Sequence, residues 1–362
     1  MMGVSRQRLA ILASLGLVVA GMIPQHTHAT GLATAYQQIV AYGLDHPKGL
    51  TVTPSGTLYV AESGHSNGSC PPPTRTAPVT SAGYTGSVAR VSAAGAFSRP
   101  ARGLYSMCDL ADFIGPSAVA YVNSTLYILQ GGCLGQFPPP AKPCAVSQPL
   151  LRVNPNGSAS AVAQFVSSGN GDRPNRPDEN PYGMVAGPQQ TLYVSDGANN
   201  TIWQVTPGAT LQTISQPLVT FPHDPTLTGI AADRRGTLYA ALFGKAPFLP
   251  GAGKIARVSP DGRYQYILTS LTNPIGVAVS HAGTLYVLQY ASAFVMKPFP
   301  HFLPNSGAVL RVTSQGVVPV VRGLNAPTGL TFGPDGGLYI TTNGTSPVAV
   351  NTGQVVKVFV GP

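Results

Sequence analysis

Pro327-Thr328-Gly329-Leu330-Thr331-Phe332-Gly333-Pro334-Asp335-Gly336-Gly337-Leu338-Tyr339-Ile340 holds a Pro-x-Gly lead, a short apolar run, a Pro-Asp-Gly turn and a second β-rich run that opens on Leu-Tyr. Proline and aspartate favour a tight turn, and glycine accepts the left-handed backbone that closes it. Two apolar runs flanking such a turn read as paired antiparallel strands. The same text recurs along the chain. Leu-Tyr pairs stand at Leu58-Tyr59, Leu126-Tyr127, Leu192-Tyr193, Leu238-Tyr239, Leu285-Tyr286 and Leu338-Tyr339. Nine residues before five of them lies a glycine, at Gly49, Gly183, Gly229, Gly276 and Gly329; the second copy has Ala118, eight residues before.

A third strand follows each pair: Gly86 to Val91, Leu150 to Val153, Thr201 to Val205, Lys254 to Val258, Val309 to Val312 and Val355 to Val358. Short turns such as Pro155-Asn156-Gly157 and Pro260-Asp261-Gly262 then lead into a fourth. Four antiparallel strands per unit, repeated six times, predict an all-β fold, a six-bladed β-propeller. The ends of the array separate a ring from a linear solenoid. The last copy stops after its third strand, whereas Tyr36 to Leu44 resembles a fourth strand such as Val317 to Leu324. The N-terminal strand is therefore expected to complete the last blade, which leaves no large exposed sheet edge.

Turns between the first and second strands are tiny, as at Pro54-Ser55-Gly56, Asn123-Ser124 and His281-Ala282-Gly283. The long connections, Ser63 to Tyr84, Leu104 to Gly115, Gly131 to Gln148, Ser167 to Asn180 and Tyr290 to Ser306, all emerge on the opposite face. Loops on a rigid scaffold are where binding groups concentrate, so function is expected there.

The N-terminus reads as a secretory signal. Arg6 and Arg8 precede an uncharged apolar run from Leu9 to Ile23, and Thr27-His28-Ala29 offers small residues for cleavage after Ala29. The run is short for a membrane span. The expected organisation is a signal over 1–29 and one propeller over 30–362, exported to the periplasm or the medium as a monomer without a stable membrane span. Losing Arg6 and Arg8 lowers the formal charge from +9 to +7. No Lys/Arg run interleaved with aromatics accompanies that excess, which excludes a nucleic-acid binder. Arg90, Arg152, Arg257, Arg311 and Lys357 recur at one position of the third strand, which assigns them to the scaffold. Cys70, Cys108, Cys133 and Cys144 form an even set in an exported chain, so disulfides are expected, with Cys133–Cys144 and Cys70–Cys108 favoured among three pairings.

The strand–turn–strand text from Leu192 to Val205 resembles NHL propeller repeats. The export signal, the Gly-Leu-x-x-x-Pro-x-Gly-x-Leu-Tyr copies and the Gly86 to Val91 strand together resemble the ScyD/ScyE family, first named for scytonemin gene clusters. The resemblance covers essentially the whole mature chain. It implies a six-bladed propeller and carries no catalytic residues. A further resemblance to gluconolactonase-like and streptogramin-lyase-like propellers implies a second possibility, metal-assisted hydrolysis or elimination at the channel mouth.

Two residues after each Leu-Tyr-x run stand Glu62, Gln130, Asp196, Leu242, Gln289 and Thr342. Glu62, Gln130, Asp196 and Gln289 are candidate ligand-binding residues, and Glu62 and Asp196 are candidate ligands for Ca²⁺ or Mg²⁺, which prefer oxygen donors. Asp196, before Gly197-Ala198-Asn199-Asn200, also reads as a cap on its own turn. Phe299 and Phe302, with Phe294 and His301, form an aromatic loop that covers the mouth or packs on the fifth blade. Asp172, Asp178 and Glu179 read as a solvated loop, and His223-Asp224 as a surface pair without a nucleophile. His46, His65, His281 and His301 lack metal-ligand spacing. No Gly-x-Ser-x-Gly elbow, phosphate loop or dinucleotide fingerprint is present. The expected function is binding of a small polar ligand or an extracytoplasmic protein through the long-loop face.

Overall fold

The computed structural model describes residues 37–65, 82–109, 112–131, 149–165, 180–206, 215–222, 226–298, 300–345 and 348–361. These residues all belong to one compact unit, Thr34–Pro362. Their regular structure is β-strand, with one short 3₁₀ turn at Pro188–Gln190.

The strands form six antiparallel blades in chain order and one small two-stranded sheet. Blade 1 runs Pro47–Val52, Leu58–Glu62, Ala82–Val91 and Phe97–Asp109 from the axis outward. Blade 2 is Pro116–Val122, Thr125–Gln130, Pro149–Val153 and Ala159–Gln164; blade 3 is Pro181–Ala186, Leu192–Asp196, Thr201–Val205 and Ser215–Thr220. Blade 4 is Leu227–Ala232, Leu238–Leu242, Gly253–Val258 and Tyr264–Leu271; blade 5 is Pro274–Val279, Leu285–Gln289, Gly307–Thr313 and Gly316–Leu324. Blade 6 takes Gly329–Phe332, Leu338–Thr342 and Gly353–Val358 from the C-terminal end and Gln37–Leu44 from the N-terminal end. That closing strand pairs antiparallel with the last one, from Gln37 opposite Val358 to Leu44 opposite Gly353. Leu44 is wholly buried there and Ala41 nearly so, while Tyr42 stays outside. Burying one such leucine stabilises by ~1.5–3 kcal/mol.

The repeat residues explain the ring. All six leucines of the Leu-Tyr pairs are buried between blades. The tyrosine that follows each leucine faces a cation across the sheet. Tyr59 is opposite Arg90, Tyr127 opposite Arg152, Tyr239 opposite Arg257, Tyr286 opposite Arg311 and Tyr339 opposite Lys357. Blade 3 pairs Tyr193 with Gln204 instead. Cross-strand neighbours of this kind add stability through stacking and cation–π attraction. Five positive charges thus have a place in the scaffold.

The recurring glycines mark where inner strands nearly touch. A Cβ on Gly49 would lie 2.9 Å from Ala118 Cα, and one on Gly229 would lie 2.7 Å from Gly276 Cα. Hydroxyls fasten the same strands. Ser117 donates to the Pro181 carbonyl at 2.8 Å, Thr228 to Pro274 at 3.3 Å and Thr328 to Pro47 at 2.6 Å. Each bond joins a blade to the next one, and the last joins blade 6 to blade 1.

Two long connections differ from the expected loops. Residues 104–109 continue the outer strand of blade 1, and Asp112–Ile114 folds back on it as a fifth strand. Between the second and third strands of blade 5, Phe294–Val295 and His301–Phe302 form a small hairpin. Residues 1–36, and with them the expected signal, lie outside the described residues, as do 66–81, 132–148 and 166–179. Among the described residues no helix is long and apolar enough to cross a membrane.

Candidate functional site

The axis itself has little room. Its cavity measures about 50 Å³ and is lined by inner-strand residues of all six blades, among them Gly49, Ala118, Tyr182, Gly229, Ile275 and Thr328. One water takes up ~30 Å³ of liquid, and a small-molecule site usually needs ~300 Å³ or more. Tyr182 accounts for much of the narrowing. It leaves the inner strand of blade 3 and donates its hydroxyl to the Thr328 carbonyl of blade 6, on the far side of the ring, at 3.1 Å. Its ring lines the cavity, and its hydroxyl end lies deep in the protein. Burial there, with the Asp112 and Tyr290 oxygens nearby, raises the phenol well above its ordinary range. The axial cavity is therefore too small to take a molecule of ordinary ligand size.

Charged groups gather at the channel mouth. Lys48, on the inner strand of blade 1, donates to both Asp112 oxygens at 3.0 and 3.1 Å. The lysine side chain is 6% exposed and the aspartate 46%. Asp112 also accepts the Phe113 amide at 2.8 Å, which fixes its rotamer. Tyr290 reaches over from blade 5 and shares a 2.5 Å hydrogen bond with Thr345 of blade 6. Burial pushes the Tyr290 phenol far above its usual value, against the Thr345 bond and together with Asp112.

A second group adjoins the first. The Phe113 ring packs on His46 at 4.2 Å between centroids. The buried Asp45 accepts His46 Nδ1 at 2.9 Å on one oxygen and His65 Nδ1 at 2.5 Å on the other. His46 Nε2 lies 3.1 Å from the Val348 carbonyl of blade 6. Burial raises the Asp45 carboxyl, but the two imidazoles outweigh it and hold the group below the ordinary carboxylate range. His65 is 37% exposed in its side chain. Its backbone is clamped: the amide donates to Thr85 Oγ1 at 2.7 Å, and its carbonyl accepts Ser106 Oγ at 2.8 Å as well as the Thr85 hydroxyl.

The residues singled out from sequence occupy the top end of their strands. Glu62 stands opposite Pro47, Gln130 opposite Pro116, Asp196 opposite Pro181 and Gln289 opposite Pro274. None of the four lines the axial cavity. Both Glu62 oxygens are engaged: Oε1 accepts the Asp45 amide at 2.9 Å and Arg99 Nη2 at 2.8 Å, and Oε2 accepts Ser87 at 2.6 Å and Arg99 Nε at 2.7 Å. Arg99 also donates to the Gly43 carbonyl at 3.1 Å, so this pair ties blade 1 to the closing strand of blade 6. Asp196 accepts the amides of Asn180, Ala198 and Asn199 and the Asn199 side chain, the capped turn that its sequence suggests. Gln130 donates to the Tyr105 and Gly131 carbonyls, and Gln289 to Ala291. Among the described residues no three His, Cys, Asp or Glu side chains are set to hold a metal ion. The donors proposed for Ca²⁺ or Mg²⁺ thus do not fit that part.

Phe302 packs at 4.8 Å from both Tyr290 and Phe294, and at 5.3 Å from Phe248, over blade 5. Phe299 lies outside the described residues, as do Cys70, Cys133, Cys144, the acidic loop at Asp172 and His223-Asp224. Cys108 is buried on the outer strand of blade 1, and no free cysteine occurs among the described residues.

Sequence reasoning passed over Lys48, Asp112, Asp45 and Tyr182. One signal was available. The residue between the strand-opening proline or leucine and the repeat glycine or alanine is Lys48, Ser117, Tyr182, Thr228, Ile275 and Thr328 in the six copies. That position points toward the ring centre or the neighbouring blade, and Lys48 is its one charged member.

No family model and no curated protein matches the sequence. Solved structures do. A streptogramin B lyase is 13% identical, with 90% of this chain and 98% of that chain covered at a TM-score of 0.51. A gluconolactonase from Xanthomonas campestris is 12% identical, with 90% and 91% covered and a TM-score of 0.55. The PQQ-bound aldose sugar dehydrogenase of Streptomyces coelicolor is 13% identical, with 91% and 99% covered and a TM-score of 0.54. The chain shares their propeller fold. Three different chemistries on one fold leave the function to be argued from the site.

Proposed function

We propose that the protein is an exported binding module on a propeller that resembles the ScyD/ScyE family, and that it takes a small polar ligand at the channel mouth on the long-loop face. The observation that carries this reading is the Lys48–Asp112 pair, a buried ammonium whose counter-ion is half exposed. An incoming anionic oxygen can replace Asp112 on Lys48 with no further desolvation cost for the lysine, which is already out of water. Hydroxyls on the same ligand can then use the released carboxylate. Export rests on the Arg6 to Ala29 pattern. Cys133–Cys144 and Cys70–Cys108 remain the pairings proposed to brace the loops.

The rival reading, a metal-assisted hydrolase or lyase, would need Glu62 or Asp196 as ligands. Each already holds four donors of the chain itself. The test is thermal melting with a panel of aldonates, dicarboxylates and amino acids, and separately with Ca²⁺, Mg²⁺ and chelator. A binder at a hundred times its dissociation constant stabilises by ~2.7 kcal/mol. At least one carboxylate should raise the melting temperature of the wild type and not of Lys48→Met, and should raise that of Asp112→Asn at least as much, since the competing counter-ion is gone. A shift with a divalent ion alone, or a carboxylate response that survives in Lys48→Met, overturns the reading.

A further inference from the structure

We infer that Asp45 and His65 form an acid–base site, in which His65 Nε2 takes a proton from water and directs it at the carbonyl of a small ester or other activated acyl compound. This goes beyond ligand holding and does not depend on it.

The geometry supplies the parts. Asp45 accepts His65 Nδ1 at 2.5 Å, which puts the ring proton on that nitrogen and the lone pair on Nε2. The Asp45 side chain is 9% exposed, against 37% for His65, so a buried carboxylate backs an imidazole that reaches solvent. A buried carboxylate on Nδ1 fixes the tautomer and stabilises the imidazolium that forms when Nε2 is protonated. Asp45 is itself held, by His46 on its other oxygen and by Glu62 on its amide. His65 is held through its own amide and carbonyl by Thr85 and Ser106. Those hydroxyls are spent on the backbone, and among the described residues none is bonded to Nε2. The proton source we assign to the base is water, which reaches the half-exposed imidazole.

The step balances without a co-reactant. A water O–H bond breaks, its proton passes to Nε2, and the oxygen bonds the acyl carbon. The bond from that carbon to the leaving oxygen then breaks, and Nε2 returns the proton to the leaving group. His65 is the catalytic residue of this step, and Asp45 is a positioning residue.

Diethyl pyrocarbonate tests the imidazole directly. Nε2 attacks the reagent's carbonyl carbon, ethyl carbonate leaves, and the Nδ1 proton is lost toward Asp45. Mass spectrometry of the intact, full-length protein should show His65 modified faster than His281, although His281 lies exposed in a surface turn. Asp45→Asn should slow modification at His65 by about tenfold, the size usual for such a supporting partner, and leave His281 unchanged. Hydrolysis of 4-nitrophenyl acetate should fall to background in His65→Gln. A structural histidine predicts the reverse order, His65 slower than His281 in the wild type. That order, or ester hydrolysis equal in wild type and His65→Gln, overturns the inference. The wild-type comparison needs no variant to fold and no ligand at Lys48, so its outcome is separate from that of the melting panel.

Discussion

At the residue scale, carboxylates on this protein differ in what surrounds them rather than in type. Asp335, in a short turn of blade 6, accepts the Gly337 amide and the Tyr339 hydroxyl at 3.0 Å each, and Lys357 Nζ at 2.5 Å. Burial raises its carboxyl, but Lys357 and the two other donors hold it below the ordinary range. Asp45 is lowered in the same sense, by His46 and His65 against burial. A carboxyl whose folded pKa is depressed gives stability that is present above its unfolded value, ~3.9, and lost as pH falls through the folded value. Both therefore predict a steeper loss of stability below about pH 4. The side chain of Asp45 is 9% exposed and that of Asp335 39%, so solvent screens Asp335 more strongly. Asp45→Asn should flatten the fall in melting temperature between pH 5 and pH 3 more than Asp335→Asn does. Equal flattening, or none in Asp45→Asn, would show that the imidazoles do not bias Asp45. Glu62 teaches a related lesson. Sequence shows a carboxylate at a strand end; it does not show that Arg99, far along the chain, spends both its oxygens.

At the element scale, the N-terminal strand was legible because its text resembles a fourth strand and because the last blade lacked one. Ala41 and Leu44, three residues apart, both go inward and Tyr42 outward, since the pairing shifts register between Tyr42 and Leu44, where Gly43 takes a positive φ. The extension of blade 1 was not legible. Its partner segment contains Gly83 and Gly86, which have no side chains to show a period of two, and the pairing shifts register between them. The hairpin at Phe294–Phe302 was hidden for a different reason. Its strands are two residues each, and what holds it is an aromatic group that includes Phe243 and Phe248 from blade 4. Closure has a measurable consequence. Deleting residues 36–42 removes most of the outer strand of blade 6 and leaves Gly353–Val358 as an open edge. The truncated protein should unfold at lower denaturant and with a smaller slope, or associate in solution. A truncation that stays monomeric and unfolds like the parent would mean that the ring is held without its closing strand.

At the scale of the whole molecule, the ring is fastened twice and plugged once. Hydroxyls of blades 2, 4 and 6 bond forward to the next blade, and the same position in blade 3 is Tyr182, which crosses to blade 6. The repeat period was readable in the sequence. The plug was not, because Tyr182 meets Thr328 only when the chain has closed on itself. Tyr182 therefore separates two pictures of function. If ligands enter the axis, opening it should matter to binding; if they rest on the mouth, it should matter only to stability. Tyr182→Phe removes one hydrogen bond, worth about 1 kcal/mol, and keeps the ring in place. Tyr182→Ala removes the ring, and a large aromatic taken from a packed interior costs ~3–5 kcal/mol, somewhat less here because the ring borders the cavity. Denaturant unfolding should rank the two in that order. A carboxylate that stabilises the wild type should stabilise Tyr182→Phe and Asp335→Asn by the same increment, since neither side chain bonds Lys48, and should fail on Lys48→Met. A ligand response lost in Tyr182→Phe and kept in Lys48→Met would place the site inside the channel, and one lost only in Asp335→Asn would place it on the short-turn face.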